Sequence, residues 1–152
     1  MKTKQKSQNK KIETHASALA RHLECTEDDL NEKSYDYYGL KVFSFGKAEY
    51  AVGTDEEADE ACFEYIKESV WAFNPQFIAA ECGMPEAEEI IKAAQHKCES
   101  SNEAILAIIK GSCGISSFVQ SAISADGRGH FLSSYDSDEI YNGDGFYIYR
   151  MN

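Results

Sequence analysis

The chain of 152 residues has the size of one domain and carries 26 acidic against 15 basic side chains, a formal net charge of −11. Hydrophobic residues at 43% and aromatic residues at 12% exclude a disordered acidic tail, which lacks both. A strongly acidic body also repels nucleic acid and anionic membranes, so we expect neither as a direct ligand.

A basic segment opens the chain and differs in charge from everything after it. Residues 1–11 hold five lysines and no acidic side chain, whereas residues 12–152 hold ten basic and twenty-six acidic ones, a net charge of −16. We therefore predict a flexible basic arm over 1–11 and a single compact acidic domain over 12–152. The segment after the arm has no continuous apolar region, so neither a secretory signal nor a membrane span is predicted, and a cytoplasmic location is expected.

The first elements of the acidic domain change from helical to strand-like periodicity. Apolar residues at helical spacing over 12–23 predict a first helix. Thr26 with Asp29 predicts a capping box that opens a short second helix through about Glu32. The runs Leu40–Phe45 and Ala48–Val52 then predict a β-hairpin, because Gly46-Lys47 between them suits a two-residue type II′ turn.

Five helices are predicted downstream of this hairpin. They begin at the capping box Thr54–Glu57, at Asn74-Pro75, at Pro85, at the capping box Ser100–Glu103 and after Gly114. The first has the clearest apolar stripe, formed by Ala58, Ala61, Cys62, Tyr65, Ile66, Ser69, Val70 and Phe73. The helix at Pro85 is predicted to bury Ala87, Ile90, Ile91, Ala94 and Cys98.

The last part of the chain reads as a second hairpin. A glycine-rich loop, Asp126–Gly129, precedes two β-like runs, His130–Tyr135 and Phe146–Arg150, which an acidic loop joins. The order of helices and hairpins predicts an α+β fold, in which several short amphipathic helices pack on a small antiparallel sheet built from two hairpins.

Acidic residues between positions 24 and 64 form the first candidate site. Thirteen acids against three lysines in this stretch favour a surface that contacts a basic partner, and a solvated helix face is the alternative. The predicted partner-binding residues are Glu27, Asp28, Asp29, Asp36, Asp55, Glu56, Glu57, Asp59, Glu60 and Glu64.

The segment DGRGH and the residues after it form the second candidate site. Arg128, His130 and Asp136 bring a cation, a base and an acid close together in sequence, as a small enzyme would need. The chain contains no GxSxG, HExxH or Walker motif, so a structural turn in which Asp126 pairs with Arg128 or caps the loop is favoured. No catalytic residue is predicted.

The cysteines and histidines predict no metal site and no cofactor. The five cysteines never form a CxxC pair, so they read as reduced thiols rather than as a disulfide framework or a zinc ribbon. His15 and His22 lie seven positions apart on one helix without a third ligand nearby in sequence.

Three tracts in order resemble a known group of proteins over residues 12–152. The tracts are YGLKVFSFGKAEYAVGTDEEADEA, SVWAFNPQFIAAECGMP and SADGRGHFLSSYD with FYIYRMN. They resemble small acidic proteins encoded by bacteriophages, prophages and other mobile elements, a group that brings no catalytic residues with it. The resemblance implies action in the cytoplasm of a bacterial host.

Charge and this setting together predict a stoichiometric anti-defence inhibitor. Its acidic surface would block the basic nucleic-acid-binding site of a host restriction enzyme or CRISPR effector, which follows the charge of phosphates. The alternatives are an interaction module of a mobile element without inhibitory role, and a small enzyme with its site at the DGRGH loop.

Overall fold

The computed structural model describes residues 13–152, so the predicted basic arm over 1–11 lies outside the described residues. The helices are α1 His15–His22, α2 Asp55–Ser69, α3 Pro75–Glu81, α4 Glu88–Gln95, α5 Asn102–Gly111, α6 Ile115–Asp126 and α7 Arg128–Leu132. The strands are β1 Asn31–Tyr37, β2 Leu40–Phe45, β3 Ala48–Thr54, β4 Ile140–Tyr141 and β5 Phe146–Arg150.

The five strands form one antiparallel sheet in the order β1-β2-β3-β5-β4. The predicted hairpin between β2 and β3 is present, and its turn places Gly46 at a φ of 60°. A positive φ at the first central residue is what a type II′ turn requires, and glycine adopts it without steric cost. The predicted α+β class is confirmed.

Each face of the sheet packs against its own helical layer, because neighbouring residues of a strand point to opposite faces. Val52 pairs with Ile148 and faces α1, whereas Ala51 pairs with Tyr149 and faces α2 and the remaining helices. The smaller core, on the α1 side, contains Ala18, Leu19, Phe43, Tyr50, Val52, Phe146 and Ile148.

Helix α2 lies at the centre of the larger core. Thr54 caps it, since its side chain accepts from the N–H of Glu57 while the Glu57 carboxylate accepts from the N–H of Thr54, as the sequence predicts. The helix packs on β2, β3 and β5 and on α5, α6 and α7. The predicted stripe is fully buried at Ala58, Ala61, Cys62, Ile66 and Val70.

Strand β1 replaces the end of the helix that was predicted after Thr26. The capping contact between Thr26 and Asp29 is present, but it opens only a 3-10 turn over Glu27–Asp29. From Asn31 the chain pairs with β2. Most side chains of β1 are exposed, so its sequence lacks the alternation of apolar and polar residues that predicts a strand.

The run His130–Tyr135, predicted as a strand, begins instead in helix α7. The helix packs against α2 and buries the adjacent residues Phe131 and Leu132 in the larger core. The hairpin partner of β5 is the two-residue strand β4, which pairs through Ile140 and Tyr141.

Three further expectations for the helical layer are wrong. Ile90, predicted to be buried, is 70% exposed, and Cys98 is exposed as well. The predicted capping box at Ser100 is absent, because a 3-10 turn over Cys98–Ser101 leads directly into α5. Asn102 fixes this junction by accepting from the N–H of Trp71 and donating to the carbonyl of Lys67.

Candidate functional site

The structure distributes the ten predicted partner-binding residues over both sides of the sheet. Glu27, Asp28 and Asp29 form the turn that follows α1, on one side, and Asp36 lies on the edge strand β1. The other six, which are Asp55, Glu56, Glu57, Asp59, Glu60 and Glu64, lie on α2, on the opposite side.

Several of these carboxylates bond within the chain. Asp29 accepts from the N–H and hydroxyl of Thr26, which lowers its pKa. Asp36 accepts from the N–H of Gly39 at 2.9 Å and so closes the turn between β1 and β2. These two residues serve local backbone structure.

Two carboxylates of α2 have basic partners. Glu64 accepts from Lys67 at 2.7 Å, within the helix. Glu57 Oε2 lies 2.7 Å from His15 Nε2, which links α2 to α1 around the end of β3. Burial by itself raises the pKa of Glu57, but the N–H of Thr54 and the ring of His15 outweigh burial and hold that pKa below its usual value.

Arg128 binds two more acidic residues of α2. Its Nη1 donates to Asp55 Oδ1 at 2.9 Å and to Asp59 Oδ1 at 2.8 Å. Within residues 13–152, this leaves Asp28, Glu56 and Glu60 of the predicted set with no hydrogen bond or ion pair. Glu56 and Glu60 are one turn apart on the exposed side of α2 and form the free carboxylate pair of this helix.

The buried guanidinium of Arg128 is the centre of a network of carboxylates and aromatic rings. Its side chain is only 9% exposed, and its Nε donates to Glu139 Oε2 at 2.8 Å. The guanidinium carbon lies 4.4 Å from the centre of the Tyr147 ring, within cation–π distance. Burial alone lowers the pKa of Arg128, but its bonds to Glu139 and Asp55 raise that pKa above the usual value, so the group is a permanent cation.

Tyr149 completes the network from the sheet. This fully buried residue donates its hydroxyl to Glu139 Oε2 at 2.5 Å, and burial followed by that bond raises its pKa far above the usual value. The sequence reasoning missed Glu139 and Tyr149. The alternation of FYIYR was the available signal, because it places Tyr147 and Tyr149 on the face that α2 covers.

Gly129 allows the chain to pass close beside this network. A Cβ at this position would lie 2.6 Å from the carbonyl oxygen of Ser137 and 2.7 Å from the backbone nitrogen of Glu139. Only glycine fits such an approach of backbone to backbone. The glycine next to Arg128 therefore brings Glu139 within reach of the guanidinium.

Arg128, His130 and Asp136, the residues considered for an enzymatic site, do not form one site in the structure. Arg128 is engaged by carboxylates, and Asp136 accepts from the hydroxyl of Ser133 and the N–H of Asp138, which lowers its pKa. His130 lies with Asp126 in a separate cleft. The expected pairing of Asp126 with Arg128 is absent, because Arg128 binds Asp55, Asp59 and Glu139.

The chain has no match among protein-family models, curated proteins or solved structures. Residues 13–152 hold no group of three His, Cys, Asp or Glu side chains arranged to bind a metal ion. No helix among them could cross a bilayer alone, although Cys98–Gly111 and Ile115–Asp126, bent by 101°, have the required length and composition as a pair.

Proposed function

We propose that the protein is a stoichiometric inhibitor that occupies the basic nucleic-acid-binding site of a host defence enzyme, a restriction enzyme or a CRISPR effector. The setting is the one implied by the resemblance to phage and prophage proteins. The observation that carries the proposal is the free carboxylate pair Glu56 and Glu60 on α2, in a body with a net charge of −16.

A body of this charge has the electrostatic property that such an inhibitor requires. Proteins that bind DNA or RNA do so largely through basic surfaces that neutralise phosphates. An acidic surface of matching extent competes for them and is steered toward them over a Debye length. Both the rate and the strength of binding then fall as salt is raised.

Two residues of the predicted acidic set are the best candidates for contact with a basic partner. Glu57 and Glu64 already have basic partners, and Asp55 and Asp59 share the charge of Arg128. Glu56 and Glu60 have no such partner in the part of the chain that the structure describes, and they are solvent-exposed. A lysine or arginine of a partner would meet a full negative charge only at residues of this kind.

The test is inhibition of a purified enzyme, with capture as the first step. Tagged protein is incubated with lysate of a bacterial host at low and at raised salt, and retained proteins are identified by mass. Each retained nuclease is then purified and its cleavage of DNA measured against increasing inhibitor. We expect complete inhibition at equimolar amounts, relief by added salt, and competition by DNA that lacks the cleavage site.

A charge-matched pair of variants localises the surface. Glu56→Lys with Glu60→Lys is expected to weaken inhibition by about a hundredfold or more, since each reversal replaces an attraction by a repulsion. Glu86→Lys with Glu89→Lys changes the net charge equally at exposed positions around the start of α4 and is expected to have a much smaller effect. Equal losses in both variants would remove α2 from the interface.

Two other results would replace the proposal with its alternatives. Loss of nuclease activity at amounts far below equimolar, abolished by His130→Ala, would favour an enzyme. Retention of basic proteins that keep full activity in the complex would favour an interaction module without inhibitory role.

A further inference from the structure

A cleft of about 380 Å³ lies between the end of α2 and the start of α7. This volume is near the lower limit for small-molecule sites in proteins and suits one side chain with its flanking backbone. The lining residues are Tyr65, Ser69, Ala72, Phe73, Asn74, Asp126, His130 and Phe131.

Aromatic rings form the apolar part of this cleft. The rings of Phe73 and Phe131 are parallel to within 2°, and their centres are 5.9 Å apart. The centre of the Tyr65 ring lies 6.1 Å from the centre of the Phe131 ring. Phe131 is buried, while Phe73 and Tyr65 are half-buried and retain exposed ring surface. Because each ring packs against its neighbour, this surface is fixed before any ligand arrives.

The polar part of the cleft contains one carboxylate. It belongs to Asp126, the last residue of α6, while Asn74, which also lines the cleft, caps the start of α3. The Asp126 carboxylate is exposed and has no hydrogen bond or ion pair among the described residues. Neither lysine nor arginine lines the cleft, and His130 is its one basic side chain.

We propose that this cleft receives an arginine side chain of the partner protein. A guanidinium is flat, so it stacks on the exposed ring surface of Phe73 and Tyr65, and its N–H groups reach the Asp126 carboxylate at the same time. A lysine ammonium offers no flat face, and an anion such as a nucleotide phosphate is repelled by the Asp126 carboxylate. The inference rests on the proposed function for the identity of the partner as a basic protein.

The same chemistry holds two arginines within the fold itself. Arg128 lies over the ring of Tyr147 while Asp55, Asp59 and Glu139 accept its N–H groups. The guanidinium carbon of Arg150 lies 3.7 Å from the centre of the Tyr135 ring. Both guanidinium groups thus combine an aromatic face with oxygen acceptors, since Arg150 Nε donates to the carbonyl oxygen of Asn152. The cleft offers aromatic faces and the Asp126 carboxylate, with no arginine among its lining residues.

The test uses three capped tripeptides and the full chain, without any partner protein. Acetyl-Gly-Arg-Gly-amide is titrated into isotope-labelled protein and amide chemical shifts are followed; the citrulline and lysine analogues are titrated in parallel. We expect saturable shifts at Phe73, Asp126 and His130 with arginine, weaker ones with lysine and none with citrulline. Citrulline has nearly the shape of arginine without its charge, so equal shifts with both would overturn the proposal.

Variants of exposed residues test the individual contacts without threatening the fold. Asp126→Asn is expected to weaken arginine-peptide binding about tenfold, which corresponds to one charge-assisted hydrogen bond. Glu89→Gln, at an exposed carboxylate of α4 outside the predicted partner-binding set, is the matched control and should leave binding unchanged. His130→Lys places a cation in the cleft and is expected to abolish binding, and unchanged affinity in that variant would also overturn the proposal.

The peptide titration tests the arginine site, and the nuclease assay tests the proposed function, so each proposal can be wrong without the other. Arginine-peptide binding that is lost in Asp126→Asn supports the cleft site even if no nuclease is inhibited. If a nuclease is inhibited but the arginine peptide does not bind in the cleft, the proposed function stands and the proposed arginine site is wrong.

Discussion

Arg128 lies over the ring of Tyr147, with 4.4 Å between the guanidinium carbon and the ring centre, and this pair ties α7 to the sheet. The three carboxylates that accept from Arg128 come from two separate parts of the chain, α2 and the segment before β4. One side chain thus joins the helical layer, the sheet and a loop. Its removal tests how much of the fold depends on that junction.

Replacing Arg128 with methionine is expected to destabilise the protein by about 1–3 kcal/mol, because Glu139, Asp55 and Asp59 would lose their shared cation and its hydrogen bonds. Arg128→Lys should restore only part of the loss, since an ammonium cannot bond in several directions and stack at once. Urea unfolding measures the free energy of unfolding of both variants. Lys41→Met, which removes an exposed ion pair with Glu32, should cost less than about 0.5 kcal/mol, and a similar value for Arg128→Met would contradict the network.

Two glycines give a matched pair of alanine substitutions. Gly129→Ala is expected to cost about 2 kcal/mol or more, because its Cβ would meet the backbone of Ser137 and Glu139, which has little freedom to move. Gly111→Ala, in the last turn of α5 with nothing within 4 Å, should be neutral or stabilise by about 0.5 kcal/mol. Thermal unfolding of both variants decides the matter, and equal midpoints would contradict the close approach at Gly129.

Glu57 is expected to give the protein part of its acid sensitivity. Its pKa is lowered in the folded state, so its stabilisation is present above its ordinary value of 4.5 and is lost as the pH falls through the lowered value. Glu57→Gln keeps the cap on Thr54 but removes this contribution, which we place at about 0.5–1 kcal/mol for a side chain that is 40% exposed and screened by solvent.

The measurement for Glu57 is the free energy of unfolding between pH 3 and pH 7, chosen to bracket the ordinary carboxyl range. The wild-type protein should gain more stability across this range than Glu57→Gln does. Glu56→Gln, one position away and unpaired, should follow the wild-type curve. Parallel curves for the wild type and Glu57→Gln would show that the contact with His15 contributes nothing in solution.

The thiols of Cys62 and Cys98 are expected to differ strongly in reactivity. Cys62 is fully buried, and burial raises its pKa to about 12, so it carries almost no thiolate at pH 8. Cys98 is exposed on the turn before α5. Ellman's reagent should therefore modify Cys98 rapidly in the native protein and Cys62 only at the rate of unfolding; Cys98→Ser removes the rapid phase. A rapid reaction of Cys62 would contradict its burial.

The sequence predicts those elements whose local signals and tertiary contacts agree. The cap of Thr54, the stripe that includes Ile66 and the turn at Gly46 each have a local cause, and each is present in the structure. The exposed strand β1 and the helix α7 have no such signal. β1 exists because β2 offers it an edge, and α7 exists because Gly129 packs against a segment eight to ten residues downstream.

The candidate site was less predictable than the fold, for a physical reason. An abundance of acidic residues is visible in composition, but whether each carboxylate is free depends on partners that are distant in sequence. Asp55 is bound by Arg128, 73 positions away, and Glu57 by His15, 42 positions away. Separation of this kind leaves no local pattern, so only the structure distinguishes Glu56 from its neighbours.

The position of β5 between β3 and β4 determines when the protein can fold. The N–H of Glu49 donates to the side chain of Asn152, 103 positions along the chain, and β5 pairs with β3 in the interior of the sheet. During synthesis β1, β2 and β3 are therefore complete long before β5, the strand that pairs with β3, has been made. Until then the edge of β3, which includes the apolar residue Val52, has no partner strand. Closing so large a loop costs entropy before its contacts form, so we expect slow, cooperative folding and a nascent chain that depends on chaperones.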